Sequence, residues 1–225
     1  MFLIIIQRVI LLNKIKEGFL LSVANYLTFI RIFISPIFLL VYIEHETFEI
    51  SAFALPYILL FLLGVSELSD VFDGYFARKY NQVTDLGKIL DPMADSIARI
   101  SVFLTFTQAP VNLPMPLIFI FLYRDSVVST LRTICALRGF ALAARISGKA
   151  KAVVQAIAAF LILFLMIPHS LGYLSQGTLH TASTIIVAIA GIYTLFSGVD
   201  YIYANRVYIR KLLTLPVPAK AKTSS

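Results

Sequence analysis

Long apolar runs separated by short polar segments dominate this chain of 225 residues. A helix needs about 20 mostly apolar residues to cross the hydrocarbon core of a bilayer. The runs are continuous rather than alternating, which favours helices over the strands of a membrane barrel. Six spans are predicted, namely Asn25–Ile43, Ala54–Phe76, Lys88–Phe106, Pro116–Leu137, Ala150–Ile167 and Ser183–Tyr203. The pattern predicts an all-α integral membrane protein, with six transmembrane helices in one domain over residues 23–213.

The two ends of the chain differ from this pattern. In residues 1–22, Arg8, Lys14 and Lys16 interrupt short apolar stretches. Such mixing predicts an amphipathic helix that lies in the membrane interface rather than across the bilayer. Residues 214–225 contain Lys220 and Lys222 among small and polar residues, which predicts a short disordered basic tail.

Composition and charge place the protein in a membrane with a defined orientation. Hydrophobic residues make up 59% of the chain and charged residues 14%, with a mean hydropathy of +0.88, which excludes an ordinary soluble domain. The segments 44–51, 107–116 and 168–183 contain no Lys or Arg. Because positive residues collect on the cytoplasmic side, both termini are predicted to be cytoplasmic, in the inner membrane. The net charge of +7 is then mainly a topology signal, and nucleic acid is not an expected partner.

Four aspartates interrupt the apolar pattern near the inner ends of spans two and three. Asp70 and Asp73 are three residues apart, and Asp91 and Asp95 are four apart. These spacings put each pair on one face of its helix. The connection between the two spans is short, so the helices are predicted to be antiparallel neighbours. One carboxylate near the bilayer centre costs roughly 2.5–3.5 kcal/mol, and four together therefore indicate a functional site.

Carboxylates that converge in a low dielectric repel each other, and a hard divalent cation relieves that repulsion. The all-oxygen ligand set predicts two Mg²⁺ or Mn²⁺ ions and, with them, a phosphorylated substrate. One alternative is that the aspartates form structural ion pairs with Arg78, Lys88 and Arg99. Another is the ion site of a cation-coupled carrier, which would show inverted repeats and broken helices.

The same residues resemble a known family. Their pattern is Asp70-x2-Asp73-Gly74-x2-Ala77-Arg78-x8-Gly87-x3-Asp91-x3-Asp95, which is similar to the complete signature of the CDP-alcohol phosphotransferases. The resemblance implies a six-helix membrane fold, usually a homodimer, with a polar cavity open to the cytoplasm. It also implies transfer of a phosphoalcohol group from a CDP-linked donor to an alcohol, with release of CMP.

The resemblance also implies roles for individual residues. Asp70, Asp73, Asp91 and Asp95 would bind the metal ions, and Asp95 would also be the catalytic base that takes the proton of the acceptor hydroxyl. The CDP-linked donor would be bound by a second group of residues, comprising Gly74, Ala77, Arg78, Gly87, Thr28 and Arg31.

Two further stretches resemble the phosphatidylglycerophosphate synthase branch of this family. The first contains Asn25, Leu27, Thr28 and Arg31, and the second contains Arg124-Asp125, Ser129, Arg132, Gly148-Lys149-x-Lys151 and Gln155. This resemblance implies CDP-diacylglycerol as the donor and glycerol 3-phosphate as the acceptor. Inositol phosphate or serine as the acceptor, with the same chemistry, is the nearest alternative.

The basic residues after the third span support a phosphorylated acceptor. Arg124 and Arg132 are eight residues apart, about two helical turns, so both can face one cavity. We expect them to bind the acceptor phosphate together with Arg145, Lys149 and Lys151. For the last three residues, a purely topological role is the alternative. Tyr201, Tyr203 and Tyr208 are expected to belong to an interfacial aromatic belt.

Overall fold

The computed structural model describes residues 30–79, 85–138, 142 and 145–214, without the side chains of residues 73–79, 85–92, 136, 137 and 211–214. Over these residues the chain forms helices and no strand. The helices are α1 (Ile30–Ile43), α2 (Leu55–Lys79), α3 (Asp85–Thr105), α4 (Met115–Leu137), α5 (Ile146–Ser170), α6 (Gln176–Ala204) and α7 (Arg206–Thr214). The interfacial helix predicted at residues 1–22 and all but the first residue of the predicted tail lie outside the described residues.

The six predicted spans coincide with α1 to α6. Helices α2, α5 and α6 are long and apolar enough to cross a membrane, and α1 is a shorter apolar helix within the described residues. Helices α3 and α4 are similar in length to these helices, but both contain charged residues along their length. The prediction of an all-helical membrane protein is therefore confirmed, whereas the number of spans stays a prediction.

The chain after α6 differs from the prediction, which did not separate a further helix. Helix α6 ends at Asn205, whose buried side-chain amide donates to the carbonyl oxygen of Tyr201 at 2.8 Å. Helix α7 follows and packs against α4 and α6. The apolar run therefore ends with a capped turn and a short helix that begins with Arg206.

Helix α5 lies at the centre of the bundle. It packs most extensively against α6 and also contacts α2 and α3, while α4 packs against α3 and α6. Small residues at this centre, including Ala158, Ala159 and Ala190, are almost completely buried and let the helices approach closely. Gln155 of α5 is also buried, and its amide donates to the Thr194 hydroxyl of α6 at 3.2 Å. Helices α5 and α6 thus pack closely and are also joined by a buried hydrogen bond.

A cluster of aromatic rings fixes α1 against α3 and α4 at one end of the bundle. Phe38 and Tyr42 of α1 both meet Phe106 edge to face, and Phe103 of α3 lies 4.8 Å from the ring of Phe121 in α4. Edge-to-face and tilted contacts of this kind are favourable beyond the area that they bury. They align α1 with the segment that follows α3.

The Tyr42 hydroxyl makes the polar contacts of this cluster. It donates to the carbonyl oxygen of Gln108 at 3.2 Å and accepts from the backbone N–H of Val111 at 3.4 Å. Nδ1 of His180, at the start of α6, lies 3.2 Å from the carbonyl oxygen of Val111. The segment between α3 and α4 therefore connects α1 with α6. It does so at the end of the bundle whose connecting segments lack Lys and Arg.

Replacement of Tyr42 by Phe is expected to lower the free energy of unfolding by about 1 kcal/mol, because the buried N–H of Val111 and the carbonyl oxygen of Gln108 lose a partner. The measurement is thermal unfolding of the purified protein in detergent. The control is Tyr57→Phe, since Tyr57 is 44% exposed on the surface of α2. Equal melting temperatures for the two variants would contradict the role of the Tyr42 hydroxyl.

Candidate active site

Three helices bring one cation and two carboxylates to a single point. Nη1 of Arg31 in α1 lies 3.0 Å from Oδ1 of Asp70 in α2 and also contacts Oδ1 of Asp95 in α3. The Arg31 side chain is only 3% exposed, whereas the side chains of Asp70 and Asp95 are 34% and 35% exposed. A buried guanidinium therefore supports two carboxylates that open to a cleft.

The periodicity of α1 explains why Arg31 points inward. Arg31, Ser35, Phe38 and Tyr42 recur at intervals of four, three and four residues, and all four are buried. The Ser35 hydroxyl donates to the carbonyl oxygen of Arg31 at 3.0 Å. The same helical stripe is thus polar beside the carboxylates and aromatic at the other end. Arg31, which the family resemblance assigned to the donor site, lies at the carboxylates.

The cleft at these carboxylates is formed by α2, α3 and α5, with Arg31 of α1 also in its lining. Its polar wall also includes Glu67 of α2, Arg99 of α3 and Gln155 of α5. Nη2 of Arg99 lies 3.8 Å from Oε2 of Glu67, and Nη1 of Arg99 donates to the carbonyl oxygen of Ala152 in α5. Leu63, Val102 and Phe103 form the apolar part of the wall. The cleft therefore combines acidic, basic and apolar surfaces.

A second polar cluster consists of residues from α4, α5 and α6. Nζ of Lys151 donates to both oxygens of Asp125 at 2.8 Å, and Nη1 of Arg124 donates to the same carboxylate at 3.0 Å. Nη2 of Arg124 donates to the Ser197 hydroxyl of α6 at 2.7 Å. A Cβ atom at Gly198 would lie 3.1 Å from Cγ of Arg124, so a larger residue here would require the Arg124 side chain to shift by a few tenths of an ångström.

Arg132 extends this cluster toward the end of α6. Its guanidinium carbon lies 5.9 Å from the ring centroid of Tyr201. Tyr201 is 2% exposed, so its predicted place in an aromatic belt was wrong, because the ring packs inside the bundle. Tyr203 and Tyr208 are exposed. In the part of the chain that the structure describes, the buried Nε atoms of Arg124 and Arg132 make no hydrogen bond. Two cations, Lys151 and Arg124, thus share the single carboxylate of Asp125 and leave a surplus of positive charge.

The remaining predicted acceptor residues lie at the end of α5. Arg145, at its N-cap, donates to both oxygens of Asp200 at 3.2 and 2.8 Å, and the Ser147 hydroxyl donates to the same carboxylate. The Asp200 carboxylate raises the pKa of Arg145 further above its ordinary value. Lys149 is exposed. The structure therefore brings Arg124 and Lys151 together at Asp125, places Arg132 against Tyr201 further along α4, and leaves Arg145 and Lys149 at the surface.

Several predicted site residues lie on described helices, but their side chains are not described. Asp73, Gly74, Ala77 and Arg78 continue α2 beyond Asp70, and Gly87 and Asp91 precede Asp95 on α3. Thr28 lies outside the described residues. Within the described side chains, no group of three acidic, histidine or cysteine residues converges as a complete metal site. The four-carboxylate site stays a prediction.

The described part of that site fits a hard cation. Asp70 and Asp95 contact the same guanidinium nitrogen, which shows that the space between them accepts positive charge. The ligands available there are carboxylate oxygens, as Mg²⁺ and Mn²⁺ prefer. The alternative of structural ion pairs included Arg99 as a partner of the aspartates, but the described ion pair of Arg99 is with Glu67. The side chains of Arg78 and Lys88 are not described.

Some polar residues of the two clusters were not identified from the sequence. Glu67 lies one turn before Asp70, on the same side of α2. Ser197 and Asp200 interrupt the apolar pattern near the end of α6 and contact Arg124 and Arg145. Each is a polar residue inside a predicted span, which is the signal that identified the aspartates.

Comparison with known proteins agrees with this geometry. Residues 21–202 match the sequence model of the family described as CDP-alcohol phosphatidyltransferase. The chain is 31% identical over 185 residues to a probable phosphatidylglycerophosphate synthase of Mycobacterium tuberculosis, with 80% of each chain covered. It is also similar to two proteins named CDP-diacylglycerol–glycerol-3-phosphate 3-phosphatidyltransferase. The protein of Rickettsia typhi is 30% identical, with 83% of this chain and 98% of the relative covered, and that of Bacillus subtilis is 28% identical, with 82% and 95% covered.

The matched segment contains both the Asp70–Asp95 cleft and the cluster around Asp125, and it covers most of α1 to α6. On the family match, the identity to these relatives and the shared coverage, this chain belongs to the CDP-alcohol phosphatidyltransferase family.

Proposed function

We propose that this protein transfers the phosphatidyl group of CDP-diacylglycerol to sn-glycerol 3-phosphate, giving phosphatidylglycerol phosphate and CMP. The observation that carries the proposal is the placement of two oppositely charged clusters on neighbouring faces of α5. The carboxylates Asp70 and Asp95 open to the cleft on one side, and the positive cluster around Asp125 lies on the other. The names of the Rickettsia and Bacillus relatives state this donor and this acceptor for those proteins.

On the donor side, the proposed role of the acidic residues is to hold two divalent ions, Mg²⁺ or Mn²⁺. Asp70 and Asp95 would bind them together with Asp73 and Asp91, which lie on the same two helices. When bound, such ions neutralise phosphate charge and make the nucleotide a better leaving group. Arg31 adds a guanidinium suited to phosphate oxygens at the same point.

On the acceptor side, the surplus positive charge favours a phosphorylated alcohol. Asp125 neutralises only part of the charge of Lys151 and Arg124, and Arg132, about two helical turns after Arg124 on α4, lies over Tyr201. The buried Nε groups of Arg124 and Arg132 are donors without a partner among the described residues. A dianionic phosphate can accept from such donors and balance their charge. Glycerol 3-phosphate supplies that phosphate together with a free hydroxyl.

The proposed reaction is a direct displacement. Asp95 takes the proton of the acceptor hydroxyl, and the oxygen forms a bond to the phosphorus that carries the diacylglycerol. The bond between this phosphorus and the bridging oxygen breaks, and CMP leaves with the electron pair. General-base assistance of this kind typically contributes about 10²- to 10⁴-fold to the rate.

The proposed setting is the inner membrane, with six spans and the cleft open to the cytoplasm. Arg78, Lys79, Arg138 and Lys149 all belong to the ends of α2, α4 and α5 that flank the cleft, whereas the opposite connecting segments lack Lys and Arg. The positive-inside rule then puts the active site within reach of a water-soluble acceptor. By analogy with the family, the protein is proposed to be a homodimer.

The purified protein, incubated with CDP-diacylglycerol and Mg²⁺ or Mn²⁺, is expected to release CMP with glycerol 3-phosphate. Inositol phosphate, inositol and serine should give no more than background release, and EDTA should abolish the reaction. The products are measured by chromatography of labelled lipid and nucleotide. Release with another acceptor alone would contradict the assigned acceptor. Ion flux into liposomes without CMP release would instead support a carrier.

Replacement of Asp95 by Asn removes the proton acceptor at nearly constant volume. The expected result is a loss of kcat of at least about 100-fold, with CDP-diacylglycerol binding largely retained. Binding is measured by titration calorimetry or by protection against thermal unfolding. Glu46→Gln, in the segment after α1 at the far end of the bundle, is the matched control. Near-normal turnover of the Asp95 variant would refute the base assignment.

Replacement of Arg132 by Ala is expected to raise the KM for glycerol 3-phosphate by roughly 10- to 100-fold, which is the effect of losing a charge-assisted hydrogen bond. The KM for CDP-diacylglycerol should change little. Arg206→Ala is the control, because Arg206 stacks on Tyr203 at the same end of the bundle, outside the cluster. An equal rise in both KM values would place Arg132 outside the acceptor site.

A further inference from the structure

Arg99 has no role in the reaction described so far, although it lies between the two charged clusters. It is one turn after Asp95 on α3, and its side chain is 12% exposed. It lines the same cleft as Asp70 and Asp95. A cation in this position would ordinarily pair with those carboxylates, but the described contacts of Arg99 lead away from them.

Each end of the Arg99 guanidinium contacts a different helix. Nη2 lies 3.8 Å from the carboxylate of Glu67 in α2, and Nη1 donates to the backbone carbonyl of Ala152 in α5. Ala152 directly follows Lys151, whose Nζ is held by both oxygens of Asp125. The contacts of Arg99, together with the backbone of α5 between Ala152 and Lys151, therefore connect the helix of the proposed base with the proposed acceptor site.

We propose that Arg99, oriented by Glu67, is a positioning residue that sets the separation between Asp95 on α3 and Lys151 on α5. This inference rests on the proposed function, since it concerns how the acceptor hydroxyl meets its base. The acceptor phosphate is held from α4 and α5, while Asp95 belongs to α3. The spacing of α3 and α5 thus decides whether the hydroxyl reaches Asp95 when the phosphate is bound.

The chemistry of Arg suits this task better than that of Lys. Its planar guanidinium has donors pointing in different directions, so it can contact Glu67 and the Ala152 carbonyl together. Glu67 supplies the opposite charge that keeps Arg99 from turning toward Asp70 and Asp95. Without Glu67, the nearest carboxylates to Arg99 would be those of the reaction site, and the contact to α5 would weaken.

The kinetic test compares Arg99→Met, Arg99→Lys and Glu67→Gln. Arg99→Met is expected to lower kcat and to raise the KM for glycerol 3-phosphate, each by about 10-fold or more, because small displacements of reacting groups are costly. The KM for CDP-diacylglycerol should change less than about twofold. Arg99→Lys should recover part of the loss, and Glu67→Gln should show the same pattern more weakly. Arg206→Met is the matched control.

A distance measurement tests the inference independently of activity. Cys135, the one cysteine of the chain, is replaced by Ser, and spin labels are attached at Ile97 of α3 and Val153 of α5, which are both exposed. Pulsed electron resonance should give one narrow component for the distance between the two labels of the same protomer in the parent protein. Arg99→Met and Glu67→Gln should broaden or shift this distribution, and Arg206→Met should leave it unchanged.

Three results would overturn the inference. An unchanged label distance in both variants would show that Arg99 does not set the helix spacing. A rise in the donor KM alone would make Arg99 a donor-binding residue. A lower melting temperature with unchanged kinetic constants would reduce its role to stability. If Arg99→Met does not fold, Glu67→Gln carries the same test. If the parent protein uses another acceptor, the proposed function fails while the distance result still decides the inference.

Discussion

The contact of Arg31 with Asp70 and Asp95 is the interaction on which the arrangement of α1, α2 and α3 depends. Each of these charges would be costly within an apolar helix bundle if it were unpaired. Together they bring three separate helices to one point, with the cation buried and the carboxylates open to a cleft. Breaking such a pair leaves an uncompensated charge, which is more damaging than the loss of the contact itself.

Among the residues that the structure describes, the buried charges of Arg31, Asp125 and Lys151 all belong to ion pairs. Glu67 and Arg99 extend the acidic cleft toward α5, and Asp125 holds Lys151 and Arg124 beyond it. Helix α5 contacts both groups, through the Ala152 carbonyl on one side and Lys151 on the other, and its small residues allow α2 and α6 to pack closely against it. An arrangement of this kind suits a reaction that joins an activated diphosphate to an anionic alcohol.

The fold was largely predictable from the apolar runs. Predicted and observed ends of α2 and α4 agree within a few residues, because the runs end at charged or proline-containing segments. Helix α7 was not predicted as a separate element, since the chain stays helical on both sides of Asn205 and only the cap at this residue separates α6 from α7. Length and hydropathy therefore predict the positions of the helices better than they predict the points at which a helix is interrupted.

The site was predictable in part. Spacing alone put Asp70 and Asp95 near one another, and the structure brings them to the same cation. Spacing did not identify Arg31 as that cation, Glu67 as the partner of Arg99 or Tyr201 as a buried ring beneath Arg132. Such contacts depend on the rotation and tilt of one helix against another, which the periodicity of a single helix does not specify. Tyrosine is common in interfacial belts, but the ring of Tyr201 is buried as in a core residue.

The central claim is that α2 and α3 present their carboxylates jointly to divalent cations at the cleft beside Arg31. An experimental structure of the protein with Mn²⁺, with anomalous scattering collected at the manganese edge, tests this most directly. The account predicts anomalous density in contact with Asp70 and Asp95. Density at another place in the protein, with these two carboxylates directed apart, would contradict it.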